Sequence, residues 1–191
     1  MKKALKSVVL VLLVLSAVAV STPWSYASDE QSQEAMKRLE DRISREVYHE
    51  LIMLPQLNIF DHLAYKVDGN NVILMGEVRN AILKDSAEKS VKHIEGVETV
   101  TNEIEILPAS GNDDRIRRAT ARAIFRYDRL FKYSLEVVPS IHIIVKGGHV
   151  TLKGAVDNQT DKDAAGLRAN GVSGVFSVQN ELEVKGSRTR K

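Results

Sequence analysis

Apolar and polar positions along the chain follow two periods, and the same order of periods occurs twice. Apolar residues first recur every four positions, which is typical of a helix with one buried face; these are Leu39, Ile43, Val47 and Leu51. Two alternating segments follow, separated by the turn-forming residues 68–71, which predicts a β-hairpin. A second helix after Asn80 and a third alternating segment over 100–106 complete the unit. The first half is thus predicted to fold as α-β-β-α-β.

The second half repeats this order. Residues 140–184 match residues 62–106 at an offset of 78, with 16 identities in 45 aligned positions and no gap. Such self-similarity indicates one supersecondary unit used twice. We therefore predict an α+β fold of two tandem αββαβ units, each a three-stranded mixed sheet with two helices packed on one face. The first helix of the second unit is expected to begin at the acidic pair Asp113 and Asp114 and to run to about Lys132.

The first 27 residues have the layout of a secretory signal peptide. Lysines precede an apolar run over 8–20, and Ser25, Tyr26 and Ala27 supply a small-x-small cleavage site. We expect cleavage after Ala27; an uncleaved membrane anchor is the alternative, although the run is shorter than the roughly 20 residues that span a bilayer. The other predicted segments are a flexible N-terminus over 28–35, a first domain over 36–108, a linker over 109–112, a second domain over 113–185 and a basic tail over 186–191.

The amino-acid composition limits which cellular compartment and which kinds of partner are plausible for this chain. The chain has no cysteine, which excludes disulfides, a thiolate metal site, a cysteine nucleophile and a lipidated N-terminal cysteine. Together with an export signal, this predicts a periplasmic protein that is not a lipoprotein. Residues 28–108 hold 9 basic and 16 acidic residues, whereas residues 109–191 hold 15 basic and 9 acidic residues. The two copies have diverged to opposite charge, which concerns their partners and not their fold.

The motif shared by the two halves is V-x-L-x-G-x-V, then a helix, then G-V-x-x-V-x-N-x-[IL]. The first copy is Val72, Leu74, Gly76, Val78, Gly96, Val97, Val100, Asn102 and Ile104. The second copy is Val150, Leu152, Gly154, Val156, Gly174, Val175, Val178, Asn180 and Leu182. This pattern resembles the BON domain family over nearly the whole chain after the signal. The resemblance implies an αββαβ fold, an envelope location, no catalysis and attachment to phospholipid membranes. In one dual-BON lipoprotein type, it implies contact with anionic lipid through the first helix of the second unit.

The four glycines of the motif are predicted to be structural and not to bind a ligand. Gly76 and Gly154 interrupt a strand, where a missing side chain allows a bulge or a close backbone approach. Gly96 and Gly174 are expected at the left-handed position that follows a helix. Asn102 and Asn180 each lie on the apolar face of a strand, which predicts a buried hydrogen-bonding role.

Catalytic and metal chemistry have little support in the sequence. None of the five histidines occupies an equivalent position in both repeats, and their spacing is not that of a metal site. There is no glycine-rich phosphate loop and no serine in a nucleophile elbow. We expect a protein without enzymatic activity, cofactor or small-molecule substrate.

The first helix of the second unit has an excess of positive charge, since Asp128 is its one acid between residues 115 and 133. At 100° per residue, an apolar side is expected to pack on the sheet; it contains Ile116, Thr120, Ala123, Ile124, Tyr127 and Phe131. The opposite side is basic and contains Arg115, Arg118, Arg122, Arg126, Arg129 and Lys132. Phe125 is expected to project into this basic side.

A basic helix face with an aromatic side chain is suited to an anionic membrane surface. Each Lys or Arg near such a surface contributes roughly 1 kcal/mol, and a buried Phe adds about 1.5–3 kcal/mol. The leading hypothesis is therefore a periplasmic protein that binds anionic phospholipid and supports envelope integrity or osmotic-stress tolerance; export argues against nucleic acid. One alternative is a merely solvated charged face. Another is an interaction module that self-associates or docks on an envelope protein, with Ile73 and Met75 in a sheet-to-sheet contact.

Overall fold

The computed structural model describes residues 24–136 and 139–186. The expected signal peptide lies mostly outside these ranges, as does the basic tail beyond residue 186. No helix in the described part of the chain is both long and apolar enough to cross a membrane.

The elements of the two halves follow the same order. The first half contains α1 (Trp24–Ile52), β1 (His62–Asp68), β2 (Asn71–Val78), α2 (Ala81–Lys92), β3 (Thr99–Asn102) and β4 (Glu105–Ile106). The second half contains α3 (Gly111–Phe125), α4 (Asp128–Phe131), a 3-10 turn (Lys132–Ser134), β5 (Ile141–Lys146), β6 (His149–Val156), α5 (Gln159–Asn170), β7 (Ser177–Asn180) and β8 (Glu183–Val184).

Residues 28–35 belong to α1, so the expectation of a flexible segment there is wrong. Pro23, the nearest residue that would break a helix, lies before α1. Glutamate, glutamine and alanine, which have favourable helix propensities, fill much of the segment. Because the segment is polar and has no apolar periodicity, the sequence pattern did not indicate this helix.

Each half contains a mixed sheet with the middle strand supplied by the hairpin. In the first half, β1 pairs antiparallel with β2, and β2 pairs parallel with β3 and then with β4. Val72 lies opposite Val100, and at the equivalent point of the second sheet Val150 lies opposite Val178. The predicted α+β architecture of tandem αββαβ units is confirmed. The third strand differs from the prediction because it is interrupted, giving two short segments in each half.

The helices cover the face of each sheet that carries the inward valines and leucines. In the first half, Ile43, Val47 and Leu51 of α1 meet Leu74 of β2 in one buried cluster. The equivalent cluster of the second half includes Ile116, Ile124, Ile143 and Leu152.

The end of the third strand departs from the expected alternation. Ile104 is buried as expected, but Ile106 is 46 % exposed and Leu107 is buried instead. The interruption of the strand after Asn102 changes which residues face the core.

A glycine in the middle strand allows the start of β1 to approach the backbone of β2. Gly76 has φ +118°, and a Cβ there would lie 2.1 Å from the carbonyl oxygen of His62. Gly154 has φ +109°, and its Cβ would lie 2.2 Å from the carbonyl oxygen of Ser140. Any larger residue would collide with backbone that has little freedom to move. These two glycines therefore serve the fold.

We expected Gly96 and Gly174 at the position that ends a helix. Both instead lie further along the chain than the helix C-cap. α2 ends at Lys92 with His93 as its cap, and α5 ends at Asn170 with Gly171 as its cap. Gly96 and Gly174 follow in the next turn, with φ of +93° and +91°. A Cβ at either glycine would crowd an arginine from the first helix of the same half.

A partly buried asparagine spans each interruption of the third strand. The Asn102 amide donates to the carbonyl oxygen of Lys84 (3.2 Å) and to the Glu88 carboxylate (3.0 Å), and its Oδ1 accepts from the Ile104 N–H. Asn180 donates to the carbonyl oxygen of Lys162 at 2.7 Å. Each asparagine therefore joins the third strand to the second helix of its own half.

The two halves pack against each other within one compact unit. The Ile143 N–H of β5 donates to the carbonyl oxygen of Ile59 at 2.7 Å, and Phe60 packs on the core of the second half. Lys153 on the outer face of the second sheet pairs with Glu77 on the outer face of the first at 2.8 Å. Both side chains are only about one-fifth exposed. Ile73 and Met75, on the same face as Glu77, are half-buried.

Replacing Gly154 by alanine should destabilise the protein by about 4 kcal/mol or prevent folding, because the new Cβ would collide with the Ser140 carbonyl at an unfavourable φ. Gly147→Ala is the control, since that glycine has φ +58° and no atom near its Cβ position. It should cost about 1 kcal/mol for the left-handed backbone alone. Urea denaturation of the two variants measures the difference. Equal destabilisation would contradict this explanation.

Candidate functional site

The candidate basic surface is built on α3, whose first turn is tied to the β5–β6 hairpin. Ser110 caps the helix by accepting from the Asp113 N–H at 3.2 Å. Asp113 is almost fully buried, and its carboxylate accepts from the N–H groups of Gly147 and Gly148, each at 2.9 Å. The acid that the sequence placed in the first turn therefore mainly holds the hairpin turn against the helix.

The helix ends at Phe125, so the expectation of one helix running to about Lys132 is wrong. Tyr127 adopts extended backbone, and α4 starts a new helical segment at Asp128. In a straight helix, Tyr133 would point away from the side that carries Ile124. The break lets Leu130 and Tyr133 enter the core and leaves Phe131 52 % exposed, although we expected Phe131 on the buried side.

Two of the predicted lipid-binding cations are neutralised within the domain. Arg129 pairs with Asp161 at 3.1 Å, and Lys132 pairs with Asp157 at 2.5 Å and with Asp161 at 3.0 Å. The Tyr133 hydroxyl also donates to Asp161, at 2.7 Å. Burial alone would raise the pKa of Asp161, but hydrogen bonds from Tyr133, Lys132 and Arg129 outweigh it and lower the pKa to about 2. These cations hold α4 and the 3-10 turn after it against the first turn of α5 and the residues just before it.

The remaining four arginines form a row along the outer side of α3. We name Arg115, Arg118, Arg122 and Arg126 the α3 arginine row; all four are exposed. Arg115 donates to Asn112 and to the carbonyl oxygen of Ser173. Within the described ranges, none of the other three forms an ion pair. Arg117 is separate, because it is buried and donates to Asp114 and to the carbonyl oxygen of Val145.

Phe125 does not project freely into the basic side as we expected. It is half-buried and packs against the hydrophobic core of the second half. The strongly exposed apolar side chains near the row are instead Leu167 of α5 and Phe176, which precedes β7. The helical periodicity of α3 could not identify them, because they belong to other elements. Comparison of the repeats offers a signal: an offset of 78 places Lys89 and Glu98 at these positions in the first half.

The equivalent surface of the first half has mixed charge. A groove of about 680 Å³ between α1 and α2 is lined by Arg45, Glu46, His49 and other residues of both signs. Arg42 pairs with Glu95 at 3.6 Å in this groove. The two halves therefore present different charge on the same structural framework.

Two stretches of the chain, residues 40–108 and 112–186, match the BON domain. Together they cover most of the chain. The protein belongs to the BON domain family.

The chain is also similar to one characterised protein and to two solved structures. The BON protein is 30 % identical over 131 residues to osmotically-inducible protein Y of Escherichia coli K12. That alignment covers 64 % of this chain and 62 % of the relative. Two structures of CdsD, a structural protein of the type III secretion system of Chlamydia trachomatis, match at 11 % identity with TM-scores of 0.30 and 0.27. They cover 73 % and 75 % of this chain and 96 % and 92 % of the CdsD chains.

Among the described residues of the BON protein, no group of three or more His, Cys, Asp or Glu is placed to hold a metal ion. Two histidines nevertheless meet between the two BON domains. The rings of His62 and His142 pack edge to face with centroids 5.6 Å apart, beside a cleft of about 690 Å³. Burial, with smaller effects of His142 and Lys153, lowers the pKa of His62 to about 4. Burial also lowers the pKa of His142, partly opposed by Asp61.

Acidification should therefore destabilise the packed BON domains. Between about pH 6.5 and 4, the folded state binds fewer protons at His62 than the unfolded state, so stability falls as the pH drops through this window. The loss from His62 should be about 2 kcal/mol, allowing for solvent screening of a half-buried ring. Urea denaturation at several pH values should give a smaller pH dependence for His62→Gln than for the natural protein. An unchanged pH dependence in His62→Gln would contradict this explanation.

Proposed function

We propose that this BON protein is a non-enzymatic protein of the periplasm that binds anionic phospholipid reversibly through the outer side of α3. The α3 arginine row carries this proposal. It presents four exposed positive charges, and Asp114 is the single carboxylate of its helix that is not buried. At roughly 1 kcal/mol for each Lys or Arg near an anionic surface, the row supplies enough attraction for reversible attachment.

The structure changes which of the predicted residues we assign to this surface. Arg129 and Lys132 contribute less than Arg118, Arg122 and Arg126, because their charges are balanced by Asp161 and Asp157. Phe125 packs on the core, so its truncation would test stability as well as binding. The docking proposal therefore concentrates on the α3 arginine row.

A role in osmotic-stress tolerance and envelope integrity is the biological part of the proposal. It is supported by the similarity to osmotically-inducible protein Y and by the signal-peptide layout of residues 1–27. The chain spans less than two-thirds of that relative, so the stress role is a proposal for this chain.

A protein-interaction module is the second candidate. The opposite net charges of the two halves motivate it. Two ion pairs already join oppositely charged residues of the two BON domains, Glu77 with Lys153 and Glu105 with Lys146. These contacts lie within one chain and leave fewer free charges for a second copy. Sedimentation over a concentration series would support this candidate if the protein associated at micromolar concentration. A monomer throughout the series would count against self-association.

Reversing the charge of Arg122 and Arg126 to glutamate should abolish co-sedimentation with vesicles that contain phosphatidylglycerol or cardiolipin. Two charges change sign, so the net charge falls by four units, which corresponds to about 4 kcal/mol of lost attraction. Binding of the natural protein should weaken with added salt and be absent with neutral phosphatidylcholine.

The control is Arg45→Glu with His49→Glu on α1, and it should do little. These residues stand 77 positions before Arg122 and Arg126, the offset at which the first helices of the two halves align, and the change lowers the net charge by three units with His49 neutral. Arg42 is avoided because it pairs with Glu95. Equal binding of the natural protein to neutral and anionic vesicles would refute the proposal, and so would loss of binding in the control alone.

A further inference from the structure

Two of the most exposed apolar side chains in the second half lie beside the α3 arginine row. Leu167 is 75 % exposed and Phe176 is 77 % exposed. Neither belongs to the hydrophobic core of that half. A Leu or Phe with about three-quarters of its surface in water gains little from the fold, because the hydrophobic effect requires removal from water.

The position of Leu167 follows from the packing of α5. Ala165 and Ala169 are fully buried. Leu167 is midway between them in the sequence, so its side chain points to the opposite side of the helix, away from the sheet. At one end of α5, Asp161 pairs with Arg129; beyond its other end, the carbonyl oxygen of Ser173 accepts from Arg115. α5 therefore runs antiparallel beside α3, with Leu167 on the same outer layer as the arginine row.

Phe176 lies at the end of the domain where α3 begins. Its N–H donates to the carbonyl oxygen of Gly148 at 2.9 Å, and Gly148 is held by the Asp113 carboxylate. Its ring lies over Gly148, since a Cβ on that glycine would be 2.5 Å from the ring. Gly174, two residues before Phe176, is in contact with the Arg115 guanidinium. The exposed ring is therefore a close neighbour of the first arginine of the row.

The first half shows that the fold does not need apolar residues at these two positions. The offset of 78 places Lys89 at the position of Leu167 and Glu98 at the position of Phe176. Both are exposed polar residues in a unit with the same strands and register. The apolar pair thus occurs only in the half that carries the arginine row.

We infer that Leu167 and Phe176 insert into the acyl region of an anionic membrane when the α3 arginine row meets its headgroups. This insertion rests on the proposed lipid docking. It adds to that docking how deep the contact reaches and which residues enter the acyl region. Charge complementarity identifies the occupant: the flanking arginines are suited to phosphate headgroups, and the apolar tips are suited to the hydrocarbon beneath them. A purely electrostatic surface would leave both side chains in water.

Tryptophan substitution tests the depth of each side chain. Leu167→Trp and Phe176→Trp would each be made with Trp24→Phe where residues 1–27 are retained, so that the introduced residue is the single tryptophan. With phosphatidylglycerol vesicles, both should shift their emission to the blue and be quenched by lipids brominated on the acyl chain. Lys89→Trp and Glu98→Trp are the matched positions in the first half and should show neither change.

The outcomes separate insertion from docking. Vesicle binding without acyl-chain quenching at residues 167 and 176 would overturn insertion and leave the proposed function standing. No binding to phosphatidylglycerol vesicles would overturn both. A blue shift only on addition of another protein would assign the apolar pair to a protein partner and would also overturn insertion.

A second measurement uses the apolar contribution to affinity. Leu167→Ser with Phe176→Ser should weaken binding to anionic vesicles on the order of 100-fold, because two apolar side chains no longer leave water. The remaining binding should keep its salt dependence, since the arginine row is intact. Lys89→Ser with Glu98→Ser should leave affinity within about 2-fold, because neither side chain would meet the acyl region. Unchanged affinity in the apolar double variant would refute insertion, and a thermal melt confirms that the variants fold.

Discussion

The close approach of two backbones at the centre of each sheet is the constraint on which this structure depends. The carbonyl oxygens of His62 and Ser140 occupy the space that a side chain on Gly76 or Gly154 would need. The same region of the middle strand faces the interruption of the third strand, which Asn102 or Asn180 joins to the second helix. In each half, the glycine thus allows the first strand to approach the second, and the asparagine amide holds the third strand against the second helix. Because these requirements lie inside the sheet, the outer surfaces could diverge without changing the fold.

That divergence is concentrated on the outer helix layer. The inward positions of α1 and α3 hold comparable aliphatic residues, such as Val47 and Ile124. Their outward positions differ, with mixed charge on α1 and the arginine row on α3. Duplication therefore produced one framework with two distinct surfaces, and only one of them is suited to an anionic partner. The salt bridges between the halves use part of the opposite charge, which leaves the α3 arginine row as the clearest unbalanced surface.

The repeat and the periodic patterns predicted the strands, the hairpins and the N-cap of α2, because these depend on local spacing and on turn chemistry. Asn80 accepts from the Ile82 N–H as an N-cap should. The break after Phe125 could not be predicted in this way. It depends on Tyr133 reaching Asp161, 28 residues away, and helical periodicity contains no information about such a contact. Phe125 lies within α3 and was misplaced for a different reason: the buried side of the helix is wider than the projection indicated, since Ala121 and Phe125 both pack against the core. Arg129 and Lys132 were assigned to the lipid-binding side because a projection of one helix contains no information about their partners, Asp161 on α5 and Asp157 just before it.

The backbone hydrogen bond between Ile143 and Ile59 has a consequence for how the chain can be divided. β5 is an edge strand, and the segment before β1 protects it by binding its N–H and by placing Phe60 against the second core. A fragment that begins after Pro108 would expose this edge, including Ile144, which is now 4 % exposed. Unprotected apolar edges are sites of intermolecular strand pairing. The sequence repeats as two modules, but the edge strand of the second module is protected from intermolecular pairing by the first.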